Sequence, residues 1–135
     1  MSYKEQLKRA IVKEDFYETN DILEEIYNCN EGEEYIQYLI NFMRDNPMID
    51  YGMPGPVVHF IEKYPQDKYK IFLLSALNEK PNCHLLWMLN RITNIANESD
   101  RKKYIEVFRI ISERKDIDEV IRNDAKGFYE FQLGN

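Results

Sequence analysis

Asp50-Tyr51-Gly52-Met53-Pro54-Gly55-Pro56-Val57-Val58-His59-Phe60 is the stretch on which the reading of the fold turns. Two of the five glycines and two of the five prolines of this 135-residue chain fall between positions 52 and 56. Each proline lacks a backbone N–H, fixes its own φ and pushes the preceding residue out of the helical region. Pro56 also suits the first turn of a helix, which the apolar spacing that follows carries from Val57 to Tyr64. The stretch therefore predicts a rigid structural corner, built from Asp50, Tyr51, Gly52, Pro54, Gly55 and Pro56, in an otherwise helical sequence.

On both sides of it the apolar residues recur at helical spacing. Upstream they predict helices over Tyr3–Glu14, over Asp21–Asn28 with Thr19 or Asn20 as N-cap, and over Glu33–Asp45. Phe16 and Tyr17 read as a staple before the second of these or as an earlier start to it. Downstream follow a helix opening at Gln66 or Asp67 and running through Asn78, and a strongly apolar one from Cys83 to Ala96 with Asn82 as cap. A helix over Arg101–Arg114 capped at Ser99-Asp100 comes next, and a last one runs from Val120 to about Gln132. Gly127 inside the last suggests close packing or a break. No segment alternates with period two, so the fold class is all-α. About eight helices in antiparallel hairpins form a single domain over 1–135, as a short HEAT-like solenoid or an irregular bundle.

The net charge of −6 conceals a segregation. Residues 1–13 are basic, residues 14–53 hold eleven acids against Arg44 alone, and no Lys or Arg occurs from Glu14 through Met43. Ordinary helices intersperse both signs, and a charge run is usually only a solvated face. A block this one-sided repels nucleic acid and anionic membranes and draws a basic protein in fast, salt-sensitive association. The candidate partner-binding residues are Glu18, Asp21, Glu24, Glu25, Glu31, Glu33 and Glu34, with Tyr27, Tyr35 and Tyr38 among them for packing.

Chemistry leaves little trace. His59-x-x-Glu62 and Cys83-His84 are the material for a metal site or a hydrolase, but no closely spaced ligand pair accompanies them. There is no Gly-x-Ser-x-Gly, and Gly52-Met53-Pro54-Gly55 lacks the Lys-Ser/Thr ending of a phosphate loop. We expect no catalytic, cofactor-binding or metal-binding residues. Cys29 and Cys83 read as free thiols, and with no apolar leader at the N-terminus a cytoplasmic location is expected. In Trp87-Met88-Leu89-Asn90-Arg91, the two polar residues of an apolar helix need designated partners. Arg91 paired with Asp50, and Asn90 bonded to the backbone of the corner, would supply them.

The corner run and the run Leu86-Trp87-Met88-Leu89-Asn90-Arg91-Ile92, with the size and helical layout, resemble small all-helical immunity proteins of bacterial polymorphic toxin and contact-dependent inhibition systems. The likeness spans about residues 20–115. It implies a cytoplasmic antidote that binds and blocks the C-terminal toxin domain of a rival or sibling cell, often a nuclease; the acidic block separately argues against direct nucleic-acid or membrane contact. The alternatives are a HEAT-like adaptor for another basic protein, or a hydrolase using His59 with Glu62 or Cys83.

Overall fold

A computed structural model describes residues 2–134, and among them the only regular structure is helical, as the periodicity predicts. The chain divides into two compact units, residues 1–72 and 73–135.

The first unit contains α1 (Tyr3–Val12), α2 (Phe16–Asn28), α3 (Glu33–Asp45), α4 (Gly55–Glu62) and a 3₁₀ turn, Gln66–Lys68. Its core takes Leu7, Ala10 and Ile11 from α1, Ile22, Leu23 and Ile26 from α2, Ile36, Leu39, Ile40 and Met43 from α3, and Val57, Val58, Phe60 and Ile61 from α4. α1 packs against α2, and α2 against α4. The start of α2 differs from expectation. Asp15 is the cap, its carboxylate accepting from Glu18 N–H at 3.0 Å. Thr19 lies inside the helix, buried, and its hydroxyl donates to the Asp15 carbonyl at 2.7 Å. α1 stops two residues early because Glu14 turns left-handed, with φ 57°.

α5 (Lys70–Glu79) gives its first three residues to the first unit and the rest to the second. The second unit also holds α6 (Cys83–Ile95), α7 (Glu98–Glu113) and α8 (Glu119–Gln132). α6, α7 and α8 pack against one another in all three pairings. Leu85, Leu86, Met88, Leu89 and Ile92 of α6 are buried, as its apolar run demands, and Asn82 caps it by accepting from Leu85 N–H. α7 is capped by Asn97, whose side chain accepts from Asp100 N–H at 2.8 Å, not by Ser99-Asp100. Gly127 neither packs closely nor interrupts α8, since a Cβ there would meet nothing within 4 Å.

Candidate functional site

The corner joins α3 to α4 within the first unit. Gly52 adopts φ +100° and Gly55 φ +82°, conformations that a side chain opposes. A Cβ on Gly52 would stand 2.5 Å from the Gly55 Cα, so glycine is also required by space. The Asp50 carboxylate accepts from Gly52 N–H at 2.9 Å, and the buried Tyr51 hydroxyl donates to the Asn46 carbonyl at 2.7 Å. Pro54 and Pro56 flank the first residue of α4, which opens two residues before the expected start. The turn between α1 and α2 is tied to this loop, the Glu14 carboxylate accepting from Asp50 N–H at 2.7 Å.

Asn90 and Arg91 both find contacts within the second unit. Asn90 Oδ1 accepts from the Gln132 side-chain amide at 2.6 Å, and the Arg91 guanidinium lies 5.3 Å from the centre of the Trp87 ring. The Asp50 carboxylate for its part bonds within its own loop, to Gly52 N–H. Gln132 is 3% exposed, and its amide also donates to Asn94 Oδ1 at 2.8 Å, while Arg101 donates to its side-chain oxygen at 3.2 Å and to its backbone carbonyl. Asn90 and Asn94 of α6, Arg101 of α7 and Gln132 of α8 form one partly buried polar junction around the Gln132 side chain.

The acidic candidates fall into two groups. Glu25, Tyr27, Glu31, Glu33, Glu34 and Tyr35 gather around the short α2–α3 turn, where Asn30 takes the left-handed conformation. Two tyrosines that the sequence reading passed over join them. The Glu25 carboxylate raises the pKa of the Tyr3 phenol, with burial, Cys29 and Glu31 adding to it. Tyr64 packs edge-on against both Tyr27 and Phe60, ring centres 5.6 Å apart in each case. Burial, then Tyr27 and Glu33, raises the Tyr64 phenol, and burial, then Glu31 and Glu34, raises that of Tyr35. The α2–α3 turn is thus a set of tyrosines among carboxylates, with the phenols of Tyr3, Tyr35 and Tyr64 raised.

Glu18 and Asp21 lie further back along α2, on the outward face that continues through Glu24 and Glu25. Tyr38 stands apart from the turn, half-buried beside Phe42 with their ring centres 6.1 Å apart.

Part of the charge is balanced from within. Lys13 pairs with Glu18 at 3.3 Å and Lys68 with Glu33 at 3.1 Å. The Lys63 ammonium lies 4.5 Å above the Tyr27 ring and that of Lys4 5.0 Å above Tyr38. Asp21, Glu24, Glu25, Glu31 and Glu34 are exposed, with no lysine or arginine at ion-pair distance among the described residues. Of the seven candidate carboxylates, Glu18 and Glu33 are thus ion-paired and the other five are not, among the described residues.

His59 is exposed and Glu62 half-buried. Burial and the Asp124 carboxylate push the Cys83 thiol up to about 12, away from the depressed pKa of an activated nucleophile. Both cysteines are free. Among the described residues no group of three or more His, Cys, Asp or Glu is placed to hold a metal ion, and no helix is long and apolar enough to cross a membrane. No family model, curated protein or solved structure matches this chain.

Proposed function

We propose that this chain is an immunity protein, a non-catalytic antidote that binds and blocks a cognate secreted toxin domain of nuclease type. The contact runs over the outward face of α2 and the α2–α3 turn, where Tyr3, Tyr27, Tyr35 and Tyr64 lie among carboxylates. The observation that carries the reading is that Asp21, Glu24, Glu25, Glu31 and Glu34 are exposed on this surface with no lysine or arginine at ion-pair distance among the described residues. Like charges on one helix face repel, and a docked cationic surface relieves that repulsion. A nuclease must present such a surface to its substrate. Tyrosine supplies contact area with little side-chain entropy to lose, and the raised phenols of Tyr3, Tyr35 and Tyr64 stay neutral well above physiological pH.

The test is co-purification and growth rescue with the toxin domain encoded immediately upstream, comparing wild type with the Glu24→Gln/Glu25→Gln/Glu31→Gln/Glu34→Gln variant. The expected result is a complex whose association rate falls at least about tenfold in the variant at low ionic strength, with a small change in dissociation rate. Absence of a complex at low ionic strength overturns the proposal.

A further inference from the structure

Charge steers, but affinity at an interface concentrates in a few large side chains seated in the partner. On that ground, and resting on the reading above, a second surface of the first unit matters. The Glu14–Asp50 hydrogen bond joins the α1–α2 turn to the loop between α3 and α4. Within three residues of one or other end of this bond lie Val12, Phe16, Tyr17, Met48 and Met53, all exposed. Tyr17 is 89% exposed, Met48 93% and Met53 88%. Phe16 lines one small recess with Glu14, Asp50, Tyr51 and Pro56, which places α2's first turn directly against the corner.

Phe16, Tyr17, Met48 and Met53, large apolar side chains left in water on the two segments this bond joins, are a cost unless something covers them. The backbone beneath them is held by Gly52, Gly55, the Tyr51–Asn46 bond and the Asp50–Gly52 bond, so the two methionines are mounted on a fixed frame. Methionine adapts its shape to what it meets. The charge around the patch selects the occupant. Glu14, Asp15, Glu18 and Asp50 lie in the segments that carry Phe16, Tyr17, Met48 and Met53, whereas the bases Lys8, Arg9 and Lys13 lie on α1 and its C-cap around Val12, with Lys13 already paired to Glu18. A second copy of this chain would bring the same acids, and an anionic membrane would be repelled in the same way. We infer that this corner is the apolar anchor site for the partner, and that it takes a cationic amphipathic helix, with Lys and Arg bordering one or two large apolar side chains that seat on Met48, Met53, Phe16 and Tyr17.

The chain carries its own controls for a test, because Met43 and Met88 are 1% and 2% exposed. The full chain, labelled with carbon-13 at the methionine methyls, is titrated with an amphipathic Leu/Lys peptide of about 18 residues and with an oligolysine of equal charge. The expected result is that the Leu/Lys peptide binds more tightly and shifts the Met48 and Met53 methyls while those of Met43 and Met88 stay in place. In Met48→Ser/Met53→Ser, which removes no buried group, its affinity falls at least about tenfold while that of oligolysine is unchanged. Equal affinities with unmoved Met48 and Met53 signals overturn the anchor site. The acidic surface is read separately, by loss of oligolysine binding in the four-fold Glu→Gln variant described above. Absence of binding by either peptide overturns both. Methyl shifts that follow protein concentration without any peptide assign the patch to a second copy and overturn the inference.

Discussion

The hydroxyl of Tyr64 occupies the space that a side chain at Gly32 would need. A Cβ added there would overlap the hydroxyl, stand 2.9 Å from the ring carbon that bears it, and lie 3.0 Å from Phe60. Tyr64 cannot simply swing away, because it is packed edge-on between Tyr27 and Phe60. Gly32→Ala should therefore cost about 1–3 kcal/mol through overpacking, read as a lower urea midpoint with unchanged slope. Adding Tyr64→Phe removes the overlapping oxygen and should recover part of the loss, so the two changes couple in a double-mutant cycle. Additive effects would show that the ring has another place to go.

Two other glycines predict opposite signs. Gly52→Ala meets both a φ of +100° and the Gly55 backbone, and should destabilise by at least about 1–3 kcal/mol. Gly127→Ala adds a methyl to an exposed helical position with open space around it, and should stabilise by about 0.5–1 kcal/mol. Urea titration of the two variants beside wild type checks both.

Gln132→Ala removes the hub of the polar junction. It leaves Asn90, Asn94 and Arg101 to find new partners in a partly buried site, at a cost of about 1–3 kcal/mol. Amide hydrogen exchange should quicken through the C-terminal half of α8 before it does so in α6. Uniform loss of protection across the second unit would contradict that local picture.

Alkaline pH tests the corner. Burial holds the Tyr51 phenol well above its ordinary pKa of about 10, and the neutral hydroxyl donates to Asn46. A group raised in the folded state contributes stability fully below its unfolded pKa and loses it as pH climbs toward the folded value. Stability should thus decline above about pH 10. Tyr3, Tyr35, Tyr38 and Tyr64 are raised too and share in the decline, so the informative quantity is the difference between wild type and Tyr51→Phe. The variant should be less stable at neutral pH and should fall less steeply between about pH 10 and 12.

The helical character of the chain was legible because apolar spacing and punctuation agree in its clearest segments. Asn82 before the Cys83 run, and the stripe of Glu33–Asp45, needed no knowledge of the rest of the chain. The start of α2 was not legible, since Asp15, Thr19 and Asn20 are all good caps by type. What selects Asp15 is the left-handed turn at Glu14 and the burial of Thr19, neither of which is local to the capping pattern. The same limit hid the Gln132–Asn90 bond, which links residues 42 apart with no sequence signature. The acids of the candidate site could be read directly from their run. Tyr3 and Tyr64, which border them, come from before and well beyond that run, and only folding brings them in.

The spacing of Asp21, Glu24 and Glu25 on one face of α2 has a thermodynamic consequence. Asp21 lies three and four residues before the two glutamates, the separations at which like charges destabilise a helix by about 0.2–0.5 kcal/mol per pair. Dissolved counterions weaken that strain within a Debye length of about 10 Å at 0.1 M. Added electrolyte should therefore firm the isolated first unit while loosening its grip on any cationic visitor, so that folding and recognition answer the same solvent variable in opposite directions.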